Sequence, residues 1–366
     1  MSLRRLAISR FRNIVAADLR FPAEVNLFVG VNGSGKTSIL EAIHMLGTGR
    51  SFRSRQSQSV IQYDQEALAV FGKLDNATSL GVEKLRDGKG RIRINHNPAE
   101  SSSQLAACLP LQVINSESFA ALDGGPAVRR QLLDWTVFHV EHRFAMHWKA
   151  YQIALRQRNA LLRRGKIDGN LMAPWELQLI QSSVLVDTLR QQVFESLRQH
   201  FFRRVESLPQ RVFGALELHY RSGWKKGVAF EEALAASRES DAEHGFTRVG
   251  PHRADLRFSV NGQAADAVLS RGQQKMLVCA LRTAMAGVIG VNAPPVFLVD
   301  DLPSELDEEN QRLFAHWVSE CADQVFVTGI DGKATAQPWL SLSKPWNRPT
   351  MFHVEHGQID PVEQNF

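Results

Sequence analysis

Gly30-Val31-Asn32-Gly33-Ser34-Gly35-Lys36-Thr37 stands between the apolar run Val25-Asn26-Leu27-Phe28-Val29 and the segment Ser38-Ile39-Leu40-Glu41-Ala42-Ile43-His44-Met45-Leu46. The run before it is short, apolar and ended by glycine, as a buried parallel strand is. Apolar residues at 39, 40, 43 and 46 give the segment after it one helical face. A Gly-x4-Gly-Lys-Thr loop in that setting is a phosphate cradle. Gly33 and Gly35 let backbone N–H groups curl around a β-phosphate, and the helix turns its positive end toward the anion. Lys36 is placed to reach the β and γ oxygens, and the Thr37 hydroxyl to ligate Mg²⁺. The octad from Gly30 to Thr37 is therefore the expected nucleotide site, and the expected fold class is α/β.

Working outward, residues 67–95 alternate apolar and polar, as an antiparallel sheet does. From 125 to 210 the period turns helical, with Leu185, Leu189, Val193, Leu197 and Phe201 four apart on one side and Arg190, Arg198, Arg203 and Arg204 off that stripe. After residue 245 strands resume, followed by a helix over 271–289, a strand at 296–299, a helix over 307–321 and a strand at 324–328. The expected organisation is an N-terminal part of a nucleotide-binding head (1–124), an inserted helical lobe (125–245) and a C-terminal part of the head (246–366).

The chain has 366 residues, 43 Lys and Arg against 38 Asp and Glu, and a net charge of +5. Its charge is unevenly spread. Residues 1–60 hold nine basic side chains against three acidic, and 141–230 hold fifteen against seven. Basic zones of this kind favour contact with a polyanion, because Lys and Arg neutralise nucleic-acid phosphates. Three scattered cysteines (108, 279 and 321) exclude a disulfide scaffold and a zinc ribbon. No apolar run approaches the length needed to span a bilayer, and the N-terminus has no signal-peptide core, so a cytoplasmic location is expected. His139 and His142 are spaced three apart but lack a partner cluster for a metal.

Two further stretches carry chemistry. Val296-Phe297-Leu298-Val299-Asp300-Asp301 is an apolar strand that delivers two carboxylates to its C-terminal end, where open α/β sheets bind ligands. Asp300 is expected in the Mg²⁺ shell and Asp301 beside the attacking water. Leu269-Ser270-Arg271-Gly272-Gln273-Gln274-Lys275 opens the helix over 271–289, with Ser270 as its N-cap. Taken alone this is an ordinary capped helix or, since a serine hydroxyl at a helix N-terminus attracts anions, a second anion reader. The chain already has one complete phosphate loop, so a second reader implies a second copy of the chain.

Phosphate loop, Leu-Ser-x-Gly-Gln signature, acidic strand and the block Ser304-Glu305-Leu306-Asp307 together resemble an ABC-type ATPase head: a mixed β-sheet with a P-loop core plus an inserted helical lobe. Phe11-Arg12-Asn13, Gly49-Arg50-Ser51-Phe52-Arg53, Gly124-Gly125-Pro126, Arg129-Arg130, Leu133-Asp134-Trp135 and Gly250-Pro251-His252-Arg253-Ala254-Asp255-Leu256 place the resemblance in the SMC-like DNA-repair branch. The resemblance implies an ATP- and Mg²⁺-dependent homodimer and a weak, DNA-stimulated ATPase. It implies binding to double-stranded and gapped DNA in the nucleoid, with no membrane partner. It also implies work with RecR, and with RecO and RecA in the same pathway, within DNA replication, repair and the SOS response.

On the same resemblance Ser270, Gly272 and Gln273 act in trans on the partner's γ-phosphate, and Asp307 lies at the dimer seam. Arg12 and Asn13 couple nucleotide to the first lobe, and Gln112 senses γ-phosphate. Arg50, Arg53 and Arg55 track DNA phosphates. Transporter heads place Glu where Asp301 stands and His where Thr328 stands, which implies slow turnover and a switch. The alternatives are a P-loop kinase or general NTPase acting on a small substrate, which would not need Ser270, and a transporter ATPase, which would need a permease. One feature fits none of these readings: Phe-His-Val-Glu-His occurs at 138–142, in a helical pattern, and at 352–356, in a strand pattern.

Overall fold

The computed structural model describes residues 2–54, 56–122, 124–164, 169–208, 213, 215–290, 293–343 and 345–362. The chain separates into two units, residues 1–119 with 275–366, and residues 120–274.

The first unit is built on two six-stranded sheets. The parallel one runs in the order Gln358–Val362, Thr350–Glu355, Val25–Val29, Gln324–Gly329, Val296–Val299, Leu111–Ile114, with only the outermost hairpin antiparallel. Val25–Val29, Val296–Val299 and Gln324–Gly329 are buried along their whole length. Strands covered on both faces are mostly apolar, which is why these read as runs and not as alternation, with Asn26, Gln324 and Thr328 the buried polar exceptions. The antiparallel sheet runs Ile14–Arg20, Leu3–Phe11, Ala67–Leu74, Ser79–Leu85, Gly90–Ile94, Asn97–Pro98. Helix Lys36–Thr48 contributes Ile39, Ile43 and Leu46 to one core with Leu6, Val70 and Leu80 of that sheet and Phe28, Leu298 and Phe326 of the other. Each such side chain contributes roughly 1.5–3 kcal/mol by leaving water. The helix that follows the phosphate loop is thus held from both faces, and the loop's position is fixed by the best-packed part of the unit.

The second unit has helices Gly125–Val140, Phe144–Leu162 and Gly169–Val205, and a three-stranded sheet in the order Gln263–Ala264, Asp255–Val260, Leu216–Arg221. Asp255–Val260 pairs with Leu216–Arg221 from Asp255↔Arg221 to Val260↔Leu216. That pairing groups residues 246–274 with the helical segment, whereas the sequence division at 245 placed them with the C-terminal part of the head. Ser270, Gly272 and Gln273 belong to this unit, and the boundary falls inside helix Arg271–Ile289.

The apolar stripe of the long helix departs from its four-residue reading. Val193, Leu197 and Phe201 are buried, but Leu185 is 44% exposed, and its place is taken by Leu179 and Val186. Four residues overshoot a helical turn by roughly 40°, so a four-spaced row rotates out of the core within a few turns. Arg190, read as off the stripe, is fully buried: it donates to both Asp134 oxygens (2.8 and 2.9 Å) and to the Pro251 carbonyl. Arg158 is likewise buried, paired with Asp241 at 2.7 Å and Glu176 at 3.1 Å. Part of the basic charge of residues 141–230 therefore holds the unit together and does not face a polyanion.

Candidate functional site

The phosphate loop lies at the C-terminal ends of Val25–Val29, Val296–Val299 and Gln324–Gly329, over a cleft of about 380 Å³. Two glycines have a steric reason to be there. A Cβ on Gly30 would meet the Val354 carbonyl oxygen at 2.2 Å, and one on Gly35, whose φ is +121°, would meet the Asn13 amide nitrogen at 2.9 Å. Asn13 clamps the loop, donating to the Ser34 carbonyl at 2.9 Å and accepting from the Ser38 hydroxyl at 3.2 Å. Gly357 closes the back of the loop through its N–H to the same carbonyl (2.8 Å). The Ser34 hydroxyl is buried and makes no hydrogen bond among the described residues.

Lys36 is 8% exposed, and its Nζ donates to the carbonyls of Gly30 (2.7 Å) and Val31 (2.8 Å). Burial pulls the ammonium below the usual lysine range, opposed by Asp301 and Asp300 across the cleft. A cation held by neutral carbonyls and short of counter-charge is prepared for an anion.

Thr37 and Asp300 are 263 positions apart in sequence, and the Thr37 hydroxyl donates to the Asp300 carboxylate at 2.9 and 3.1 Å. The pair offers a hydroxyl and a carboxylate side by side, hard oxygen donors of the kind Mg²⁺ takes together with waters and phosphate oxygens. Thr328, buried at the end of Gln324–Gly329, organises both acids. Its hydroxyl donates to Asp300 at 2.7 Å and accepts the Asp301 N–H at 2.9 Å. Asp301 has left-handed backbone (φ 53°) and accepts from the Ser304 hydroxyl at 2.8 Å. The residue that stands in place of a histidine is thus a positioning group for the acid pair, a role its sequence neighbourhood did not signal.

Other expected residues fall differently. Arg12 is not among the cleft residues. Its guanidinium grips buried Glu41 at 2.7 and 2.9 Å and the Ser59 carbonyl at 2.6 Å, so it ties strand to helix. Arg53 lines the cleft. Arg50 is exposed, and Arg55 lies outside the described residues. Ser116, just beyond strand Leu111–Ile114, also lines the cleft.

Gln112 is not brought to the cleft. It lies within Leu111–Ile114, 1% exposed, and its Oε1 accepts from Arg282 Nη1 at 2.9 Å. Among the described residues, Gln112 Nε2 and Arg282 Nε are both buried without partners, and burial pushes the Arg282 guanidinium down to about 10. Side chains alternate along a strand, so a glutamine one position earlier or later in register faces the other side. Gln112→Leu is expected to cost about 1–3 kcal/mol, because it strands the guanidinium. Gln112→Leu with Arg282→Met should recover most of that loss. Thermal midpoints of the two variants check the order, and a double variant less stable than the single contradicts it.

Ser270 and Gln273 form a reciprocal cap at the start of helix Arg271–Ile289. The Ser270 N–H donates to Gln273 Oε1 at 2.8 Å, and the Gln273 N–H to Ser270 Oγ at 3.4 Å. Ser270 and Gly272 are exposed. A Cβ on Gly272 would meet nothing within 4 Å, so its own fold gives no reason for glycine in that first turn. Asp307 caps helix Glu308–Ser319, accepting the Asn310 N–H.

The family profile described as the RecF/RecN/SMC N terminal domain matches residues 2–338. The chain is 43% identical to the DNA replication and repair protein RecF of Cellvibrio japonicus, over 98% of this chain and 99% of that protein. It is 44% identical to the protein of the same name from Pseudomonas aeruginosa, over 98% and 97%. Among solved structures, the recombination mediator protein RecF of the RecFOR pathway, with ATPrS, superposes with a TM-score of 0.83 at 24% identity, covering 99% of this chain and 98% of that one. The Smc head domain from Pyrococcus furiosus superposes with a TM-score of 0.57 at 14% identity, over 98% and 95%.

Proposed function

The chain belongs to the RecF/RecN/SMC N-terminal family, and from that membership we propose that it is an ATP-binding protein of DNA replication and repair whose heads close in pairs around nucleotide. The observation that carries the reading is the meeting of Thr37 with Asp300 beneath Lys36, in one cleft, from opposite ends of the chain. Gly30 to Thr37 hold the triphosphate, with Lys36 moving from the two carbonyls to its β and γ oxygens. Thr37 and Asp300 hold Mg²⁺, which when bound offsets charge on the same oxygens. Asp301 orients the attacking water, positioned by Thr328 and Ser304. Ser270, Gly272 and Gln273 of a second copy seal the γ-phosphate, which gives the exposed glycine its reason: bare backbone lets the triphosphate approach.

On this reading the protein is a slow, DNA-stimulated ATPase that dwells on double-stranded or gapped DNA and works with RecR, RecO and RecA at the nucleoid. Among the described residues no helix is long and apolar enough to cross a membrane. A P-loop kinase acting on a small substrate is disfavoured by the family, which the chain matches over nearly its full length.

Asp301→Asn is expected to keep ATP affinity and to lengthen the life of the ATP-bound dimer. Asparagine tolerates the left-handed backbone at 301 and removes only the basic oxygen. ATP titration and dimer decay by light scattering check this, and lost ATP binding contradicts the role of Asp301. DNA affinity should fall roughly a thousandfold between about 50 and 200 mM salt, with little sequence preference. Fluorescence anisotropy across that range tests DNA contact, and a salt-independent or strongly sequence-selective complex contradicts it.

A further inference from the structure

The two copies of Phe-His-Val-Glu-His share nothing in the fold. At 138–142 the pentapeptide ends helix Gly125–Val140, with Glu141 as an extended C-cap. At 352–356 it lies in strand Thr350–Glu355, and His356 turns left-handed at φ 47°. His139 is packed on Trp135, ring centroids 4.5 Å apart, and burial pushes it down to about 4. His353 has 53% of its side chain exposed. Phe352 and Val354 are core residues, whereas Phe138 and Val140 are half-buried. A helix end and a parallel strand favour different residues, so no common structural demand selects the repeat. At average residue usage, some repeated pentapeptide arises by chance in on the order of one chain in twenty of this length.

The coding duplex supplies what the fold does not. Under the standard genetic code, a Phe codon can be the reverse complement of a Glu codon only as TTC with GAA. A His codon can be the reverse complement of a Val codon only as CAC with GTG. Phe-His-Val-Glu can therefore be written TTC-CAC-GTG-GAA, which equals its own reverse complement. The symmetry extends outward. Every His codon begins with CA, and its complement TG ends both the Met codon and one Val codon. The residues before the two copies are Val137 and Met351. They differ as side chains, yet both can supply TG. The closing His of each copy, exposed in both, is then required by the dyad and not by the fold.

We propose that both copies are written TG-TTC-CAC-GTG-GAA-CA, and that this duplex is a binding site for a two-fold symmetric, sequence-specific DNA-binding protein. A homodimer presents the same reading element twice, so a palindrome in the DNA mirrors its axis. The sequence spans roughly one and a half turns of B-DNA, enough for two major-groove half-sites. Its central CAC-GTG displays guanine N7 and O6 acceptors symmetrically on both strands, the groups that arginine reads in pairs. The proposal is independent of the ATPase reading, and the failure of either leaves the other standing.

Reading the coding strand is the first test. Phe138 and Phe352 should be TTC, His139 and His353 CAC, Val140 and Val354 GTG, and Glu141 and Glu355 GAA, with Val137 as GTG. A break in that spelling at either copy overturns the proposal. The second test is dimethyl sulfate footprinting of the gene in living cells. Guanine methylation should be several-fold weaker at both sites, symmetric about each dyad. It should return to that of flanking DNA when both are respelled TTT-CAT-GTT-GAG, which leaves the chain unchanged. Equal methylation of native and respelled genes, or one-sided protection, overturns the proposal.

Discussion

Lys36→Met is expected to lower ATP affinity by about two to three orders of magnitude and to abolish ATP-dependent pairing of the chain. The ammonium is held at the loop by its own carbonyls, and charge-assisted hydrogen bonds contribute roughly 1.5–3 kcal/mol each. The fold should survive the change. Methionine occupies a similar volume, and the two bonds lost to Gly30 and Val31 are offset in part by no longer burying a charge. Calorimetric titration with ATP and light scattering report the two effects separately. Dimers of this variant at saturating ATP would contradict the placement of the site.

Ser270→Arg is expected to leave the first encounter with ATP intact while lowering hydrolysis about a hundredfold or more. Ser270 lies at the surface and its side chain caps its own helix turn, so its replacement costs about 1 kcal/mol in capping. If heads pair as proposed, the larger effect falls on the facing subunit, where a guanidinium stem would occupy the space meant for the γ-phosphate. Donors aimed at a transferring group are worth about a hundredfold to a thousandfold in rate. A steady-state ATPase assay beside an ATP titration distinguishes this from misfolding. Unchanged hydrolysis would show that Ser270 is only a cap.

Local pattern made some parts of this molecule legible and left others hidden, for physical reasons. The strand–loop–helix around Lys36, helix Arg271–Ile289 and strand Val296–Val299 are set by short-range rules, and the structure follows them. The same holds for the cap at Ser270. Long-range pairing is different. Nothing near Thr328 says that its hydroxyl will meet Asp300 and the Asp301 N–H, because the strands that join them are adjacent only in space. Arg190 reads as lying off the apolar stripe because its acid, Asp134, is distant in sequence. The resemblance implies Gln112 at the cleft, but strand register turns it to Arg282. Arg12 fell to Glu41 for a similar reason: a buried carboxylate must be paired, and this arginine was the guanidinium in reach.

The proposed pocket encloses each nucleotide between two copies of the chain, with the loop of one and the Ser270 helix of the other. Specific ATPase activity, measured per subunit over a dilution series, tests it most directly. A shared pocket predicts activity that climbs from near zero in dilute solution to a plateau as subunits pair. A rate per subunit that stays flat across the series, with Mg²⁺ and ATP saturating, would contradict the account.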